Sequence, residues 1–414
     1  MALELLIQTT SATHQSFDYD LAIVGGGITG STLACALKHS GLSVLLIEAK
    51  PKSVAAARVQ AYALSILSGR IFAGIGVWDK ILPQISTFRQ IKLSDANHSG
   101  VVHFSPSDLG TNALGYVGEH RPVLTSLQEF LTDCPNVDWL CPAEVVDVDY
   151  QESGVEITVK EGDTQHRIRT RLVVAADGAR SQIRTRARIT TRGWKYWQSC
   201  VTARIKTEKP HNNTAFERFW PSGPMGVLPL SENRCQVVWT APHAEAKALQ
   251  ALDEDQFLAK LEYYTGGLLG RLELECDRYL FPVQLMQSDR YIQSRLALIG
   301  DAAHCCHPVG GQGLNLGIRD AAALAQVLTE AHQAGEDIGA IEVLKRYENW
   351  RKQENLVILG FTDTLDRIFS NNWLPIVGIR RLGLWMLRRI RPVKIYALKL
   401  MTGLRGNIPQ VAQH

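Results

Sequence analysis

Several features that mark specialised proteins are missing from this chain of 414 residues. Its eight cysteines, at positions 35, 134, 141, 200, 235, 276, 305 and 306, include no CxxC pair. A disulfide framework is not expected at this length, and a reducing cytosol suits such scattered thiols. Lysine and arginine total 44 against 41 aspartates and glutamates, a net charge of +3. That balance is too even for a nucleic-acid partner. No uninterrupted apolar run reaches the ~18 residues that a membrane-spanning helix needs. Residues 1–17 lack the basic start, apolar run and small-residue cleavage site of a secretory signal. A cytoplasmic chain is therefore expected. Internal repeats and low-complexity linkers are also absent, and GxGxxG occurs once only.

What is present begins at residue 18. "DYDLAIVGGG" reads as a short buried strand running into glycines, "ITGSTLACALKHSG" as a helix, and "LSVLLIEAK" as a second continuous apolar strand. Continuous apolar strands suit a parallel sheet covered on both faces. The glycines are Gly25, Gly27 and Gly30. In that spacing the first allows a tight turn, the second lets backbone approach a pyrophosphate, and the third lets helix and strand pack closely. Glu48 ends the second strand, where a carboxylate accepts ribose hydroxyls. The reading is dinucleotide binding.

"LALIGDAAHCCHPVGGQGLNLGIRDAAAL", residues 296–324, narrows the ligand. A third apolar strand ends at Asp301, and Gly310, Gly311 and Gly313 open another helix. Two helix N-termini aimed at one region suit a long ligand held at both ends, and FAD is such a ligand. His304, Cys305, Cys306 and His307 are adjacent, so they cannot easily converge on a metal, and no metal is expected. Vicinal cysteines form no unstrained disulfide. Pro308 stiffens the loop and removes one N–H. Between the two glycine motifs, "VEITVKEGDTQHRIRTRLVVAADG" (155–178) reads as a hairpin, and 191–285 holds further strand-like runs such as "GPMGVLPL".

"GGGITGSTLACAL…VLLIEA", "ADGARSQIR" and "LIGDAAHCCHPVGGQGLNLGIRDA" together resemble the class A FAD-dependent aromatic hydroxylases. The resemblance is closest to the branch that hydroxylates polyprenylated phenols in quinone biosynthesis, and it covers about residues 18–400. It implies an α/β fold with a Rossmann-like FAD-binding domain of the GR2 type, discontinuous over 18–88, 107–190 and 286–345. A mostly antiparallel β-sheet substrate domain is inserted as 89–106 and 191–285, and C-terminal helices fill 346–414.

The resemblance also implies a cofactor set. It comprises Gly25, Gly27, Ile28, Thr29, Gly30, Glu48, Ala49, Arg58, Arg121, Asp177, Gly300, Asp301, Pro308, Gly310, Gly311, Gln312, Gly313, Leu314 and Asn315. Arg58 matches an arginine near the flavin, although Ala56 stands where the family often carries an acid. Arg121 matches a position that contacts FAD, with His120 where the branch often has Asn. His307 and Pro308 are the candidates for the flavin face. No side chain is an evident catalytic base.

The implied reaction uses NAD(P)H and O2, through a flavin C4a-hydroperoxide, to hydroxylate the ring of a lipophilic phenol or quinone precursor. The apolar run "FWPSGPMGVLPL" is the expected pocket wall, with Trp220, Met225, Leu228 and Pro229. Two alternatives share the FAD motifs: a flavin-dependent prenyl reductase or dehydrogenase, and a non-catalytic FAD-holding member of a biosynthetic complex. "GWKYWQS" does not match the Trp-rich motif of flavin halogenases.

Residues 373–403 mix Trp, Leu, Ile and Met with Arg380, Arg381, Arg388, Arg389, Arg391, Lys394 and Lys399. Two readings stand side by side. One is a basic amphipathic helix pair on the inner face of an anionic membrane. The other is a pair of helices covering the FAD domain, with arginine stems lying over it. A homo-oligomer or a biosynthetic complex is compatible with both.

Overall fold

The computed structural model describes residues 16–96 and 100–413. Residues 97–99, inside the expected 89–106 segment, and most of the segment before residue 18 fall outside the described residues.

The opening strand Tyr19–Val24 lies at the centre of a parallel sheet. Val44–Ile47 flanks it on one side, with Val137–Leu140 beyond. On the other side lies the second half of Thr164–Ala175, followed by Leu296–Leu298. The register sets Val24 against Ile47 and Ala175, and Ala175 against Leu298. Four strands therefore end level, and Gly25, Glu48, Ala176 and Ile299 follow at one edge. Ligands bind at this edge in open α/β sheets. Val44–Ile47 and Leu296–Leu298 are fully buried because helices cover both faces. The first half of Thr164–Ala175 turns back as an antiparallel ribbon with Val155–Glu161, which pairs with Glu144–Tyr150.

A second sheet of nine strands is built around the 17-residue strand Thr191–Thr207. Arg234–Pro242, Gly223–Pro229 and Thr214–Trp220 follow in antiparallel order. Gln90–Asp95 then joins in parallel, and Val101–Phe104 closes the edge. Helices His243–Ala251 and Glu254–Thr265 cover one face, burying Trp239, Val237, Phe257 and Leu261. The other face looks toward the parallel sheet. A small third sheet, of Ala61–Leu64, Gly115–Glu119 and Ser86–Phe88, bridges the two.

The expected start of the C-terminal region at residue 346 falls inside one continuous helix, Ile341–Phe369. No glycine or proline occurs between 341 and 359, so nothing in the backbone breaks the helix there. The tail forms two helices, Leu374–Arg389 and Arg391–Thr402, with Pro392 in the first turn of the second, where its missing N–H costs nothing. They are pinned to the end of strand Gln90–Asp95 in the substrate sheet and to the turn Pro106–Asp108 that follows the sheet's edge strand. Arg380 Nε lies 2.7 Å from Asp95 Oδ2, both side chains being buried. Lys394 Nζ lies 2.8 Å from Asp108 Oδ2. The tail thus covers the mouth of the groove between the sheets.

Candidate active site

The end of the first strand is shaped by glycines that do different work. Gly25 has φ +110°, and a Cβ there would sit 2.4 Å from the Ala176 carbonyl oxygen. Only glycine satisfies both constraints. A Cβ on Gly30 would sit 1.9 Å from the Gly25 carbonyl oxygen, so this glycine sets how closely helix Ile28–Ala36 lies on the strand. A Cβ on Gly27 would meet no atom within 4 Å. Gly27 is the N-cap, and no side chain caps this helix. Its first-turn N–H groups, which have no intrahelical acceptor, are left to a ligand. Gly27, Ile28 and Thr29 line the central cavity.

Glu48 stands beside this turn, behind the residues that line the cavity. Its Oε2 accepts the Gly26 N–H at 2.8 Å and its Oε1 accepts the Lys50 N–H at 3.0 Å. The carboxylate is thereby fixed with lone pairs to spare for ribose hydroxyls. Ala49 is exposed beyond it.

The loop after the third strand is anchored by a buried polar cluster. Gly300, at φ +59°, donates its N–H to Asp320 Oδ2 at 3.1 Å. The same oxygen lies 2.6 Å from His304 Nε2. Asp320 Oδ1 accepts from Arg351 Nε at 2.9 Å and from Asn355 Nδ2 at 3.0 Å. These partners outweigh burial and hold the Asp320 carboxyl down at about 2. Asp301 then opens into the cavity. Burial in the wall raises its pKa, while the His304 and Arg58 charges pull it back. Arg58 and Asp301 thus meet at the cavity although 243 positions separate them in sequence.

Gly310 and Gly311, at φ +70° and +60°, turn the chain into helix Gln312–Gln333. Gln312 donates to the carbonyls of Gly310 at 2.9 Å and Met401 at 3.1 Å, tying the loop to the tail. Pro308, Gly310, Gly311, Gln312, Gly313 and Leu314 all line the cavity.

Four expected residues are placed elsewhere. Asn315 is buried with all its capacity used. Its amide donates to Ala63 O and Gly311 O, and its oxygen accepts from Ser65 N–H and Ser68 Oγ, at 2.7–2.8 Å throughout. It braces the loop and has nothing left for a ligand. His307 is also turned inward. Its Nδ1 accepts the Val309 N–H at 3.2 Å, the edge of Tyr196 packs on it, and burial drives its pKa down to about 3. Asp177 spends its Oδ2 on the Gln182 and Ile183 N–H groups, capping helix Gln182–Arg186, and it is Gly178 that reaches the cavity. Arg121 is exposed, because neighbouring positions on a helix point about 100° apart and His120 takes the inward one. His120 Nε2 lies 3.0 Å from Ala55 O, its Nδ1 lies 3.1 Å from Tyr62 Oη, and burial lowers its pKa.

The pocket wall also differs from expectation, for a reason inherent in strands. Alternate side chains point to opposite faces. Pro224, Gly226 and Leu228 face the cavity. Met225 and Val227 face the helix-covered core, and Pro229 points the same way. Trp220 packs on Tyr264, with ring centroids 4.4 Å apart. The wall is completed by groups whose positions carry no sequence signature: Phe219 stacked on Phe369 at 3.8 Å, with Leu384, Leu387 and Met401 from the tail. Cys305 and Cys306 line it as neutral thiols, burial pushing both pKa values upward.

The cavity measures about 930 Å3 and runs from the first helix N-terminus, past Asp301 and the glycine loop, to the apolar sheet and tail. FAD fits this donor set. Two helix N-termini and an unobstructed Gly27 suit its phosphates, and Glu48 and Asp301 suit its hydroxyls.

Comparisons with known proteins agree. Residues 18–355 match the family described as FAD binding domain. An uncharacterized protein of Synechocystis sp. is 53% identical, with 95% of both chains covered. Ubiquinone hydroxylase UbiL of Rhodospirillum rubrum is 37% identical over 91% of this chain and 87% of its own. The 3-demethoxyubiquinol 3-hydroxylase of Escherichia coli is 34% identical over 93% and 98%. The fold is shared with p-nitrophenol 4-monooxygenase PnpA of Pseudomonas putida at TM-score 0.77 and 20% identity, covering 93% of this chain and 98% of that one. The chain belongs to the FAD-binding family of aromatic-ring monooxygenases, in the branch that contains the hydroxylases of ubiquinone biosynthesis.

Proposed function

We propose that the chain hydroxylates the aromatic ring of a polyprenylated phenol or quinone precursor drawn from a membrane. The balance is ring C–H, O2, NAD(P)H and a proton in, and ring C–OH, water and NAD(P)+ out. The carrying observation is the position of the cavity mouth. Val357, Ile379 and Tyr396 line the cavity and yet are more than half exposed, so they ring its opening among the C-terminal helices. An apolar channel that starts at the flavin loop and emerges there suits a ring with a long lipid tail.

The same helices carry an apolar outer surface. Trp373, Leu374, Leu382 and Trp385 are all more than half exposed, beside exposed Arg381, Arg388, Arg389, Arg391 and Lys399. Arg380 and Lys394 are taken by their ion pairs and do not contribute. The surface suits an anionic bilayer. Among the described residues no helix is long and apolar enough to cross one.

Bound FAD supplies the transfer of one oxygen atom from O2 to the ring. The chain's own residues do the rest. Backbone N–H groups at Gly27 to Thr29 and the N-terminus of Gln312–Gln333 hold the phosphates and ring edge. Phe219, Leu228, Phe369 and Leu384 press the substrate ring into place and exclude water, which would otherwise divert reduced oxygen to hydrogen peroxide. Neutral Cys305 and Cys306 add no competing thiolate.

Turnover of a prenylphenol under 18O2 tests the reading. One labelled oxygen in the product ring is expected. Consumption of the substrate with no label in the ring would favour a reductase or dehydrogenase instead.

A further inference from the structure

Among the described residues, one acidic side chain on the substrate side of the cavity, Glu217, has no hydrogen-bond or ion-pair partner. Ala215, Glu217 and Phe219 face the cavity from Thr214–Trp220, while Arg218 points through the opposite face, where it lines a separate small pocket with Lys92. Glu217 stands beside Gly226 on one neighbouring strand and Leu93 on the other. A Cβ on Gly226 would lie 3.3 Å from Glu217 Oε2, so the carboxyl lies over the space this glycine leaves. Among the described residues no donor or cation reaches it. Such a group costs stability unless something completes it.

We infer that Glu217 is the hydrogen-bond acceptor for a ring hydroxyl of the substrate, and that it makes the pocket select rings with a free hydroxyl over their O-alkylated counterparts. The inference rests on the ring hydroxylation proposed above. A phenol O–H donates to a carboxylate in a charge-assisted bond, and an ether oxygen has no proton to give. That bond also feeds electron density into the ring, which an electrophilic oxygen transfer needs.

Burial alone pushes the Glu217 carboxyl up to about 8. The titratable groups near it leave that value in place. Cys200, on Thr191–Thr207 of the same sheet, is held neutral by burial, its own pKa raised to about 12. Asp95, two positions beyond Leu93, is committed to Arg380 of the tail. Across the cavity Cys305 and Cys306 are neutral, and Asp301 lies with Arg58. Either form of the carboxyl accepts a phenol O–H, but the ionised form makes the stronger, charge-assisted bond and has no proton to offer an ether oxygen. The preference for phenol over ether therefore rises with pH through about 8.

The test titrates FAD-loaded protein with 2-farnesylphenol and with its methyl ether, from pH 6 to 9, reading flavin and tryptophan fluorescence. Wild type is expected to prefer the phenol increasingly as pH rises. Glu217→Gln is expected to lose about tenfold in phenol affinity, to lose the pH trend, and to bind the ether unchanged. FAD content and melting of the variant verify its fold. If the variant keeps the preference and the trend while wild type still places 18O in the ring, the assignment of Glu217 is overturned and the hydroxylase reading survives. If wild type binds neither ligand and labels neither, the hydroxylase reading fails and the inference falls with it.

Discussion

On the flavin side the cavity is walled mainly by backbone: the turn at Gly25, the uncapped helix at Gly27, and the left-handed pair Gly310 and Gly311. Its polar side chains are anchored from behind, as Asp320 anchors Gly300 and Asn315 anchors the glycine loop. On the substrate side the wall is made of side chains from the nine-stranded sheet and the tail, and few of them are hydrogen-bonded. A ligand with fixed geometry, bound through phosphates and hydroxyls, is matched by rigid N–H groups. A greasy ring with a flexible tail is matched by shape and exclusion of water, with one carboxylate to orient it.

The largest effect expected from breaking this contrast comes from two glycines two residues apart. Gly25→Ala forces a side chain into φ +110° and within 2.4 Å of a carbonyl oxygen, and should cost upward of ~3 kcal/mol and leave little soluble protein. Gly27→Ala meets nothing in the protein, so its melting temperature without FAD should match wild type while FAD affinity drops about 10- to 100-fold. Equal losses of fold in the two variants would mean that Gly27 is not a ligand position.

Asp320→Ala comes next. It leaves His304 without its partner and Arg351 with Glu354 as its one remaining carboxylate. It should destabilise by about 2–4 kcal/mol, with FAD lost through the freed Gly300 turn. Thermal unfolding and the flavin absorbance of the purified variant measure the two effects together.

These two walls also differ in how far they were legible in the sequence. The flavin side rests on short-range spacings: a glycine turn between strand and helix, and an acid at a strand end. Such spacings dictate local geometry, so Gly25, Gly27, Asp301 and the glycines from 310 to 313 could be placed. Two causes account for the residues that the structure places elsewhere. Asn315, His307 and Asp177 are of residue types that bind ligands, but spacing does not show which of their atoms the fold has already used. Ala63 and Ser65, distant in sequence, take Asn315. Local N–H groups of Val309 and of Gln182 and Ile183 take one acceptor each of His307 and Asp177. Met225 and Pro229 failed on face: an unbroken apolar run hides the alternation that only pairing with Arg234–Pro242 reveals. Glu217 left no signal, since a lone acid in a strand reads as surface.

The tail sharpens the comparison with a kinetic split. Arg380→Met keeps the apolar stem but removes the buried cation beside Asp95, loosening helix Leu374–Arg389 over the cavity mouth. FAD content should stay unchanged. KM for a long-tailed prenylphenol should rise about tenfold, with a smaller change in kcat, because binding of the tail is lost equally in ground and transition states. A short-tailed substrate should be affected less. Loss of FAD instead would mean that the tail supports the flavin wall through Gln312 and Met401 rather than the substrate wall.

The smallest effect is a pair of opposite pH dependences, one from each wall. His307 on the flavin side has its pKa lowered to about 3 in the fold, below its ordinary value near 6.5. Below pH 6.5 the unfolded chain binds a proton that the folded chain refuses, so this contribution to stability falls as pH drops toward 3. Glu217 has its pKa raised to about 8, from an ordinary value of 4.5. The folded chain keeps a proton that the unfolded chain has released, so stability falls as pH climbs from 4.5 to 8 and levels off above. Each slope is bounded at about 1.4 kcal/mol per pH unit. Thermal melts across pH 4–9 separate the two arms. His307→Asn, which retains an acceptor for the Val309 N–H, should flatten the acid arm only, and Glu217→Gln the alkaline arm only. If either variant moved the arm assigned to the other, the two walls would be electrostatically coupled rather than independent.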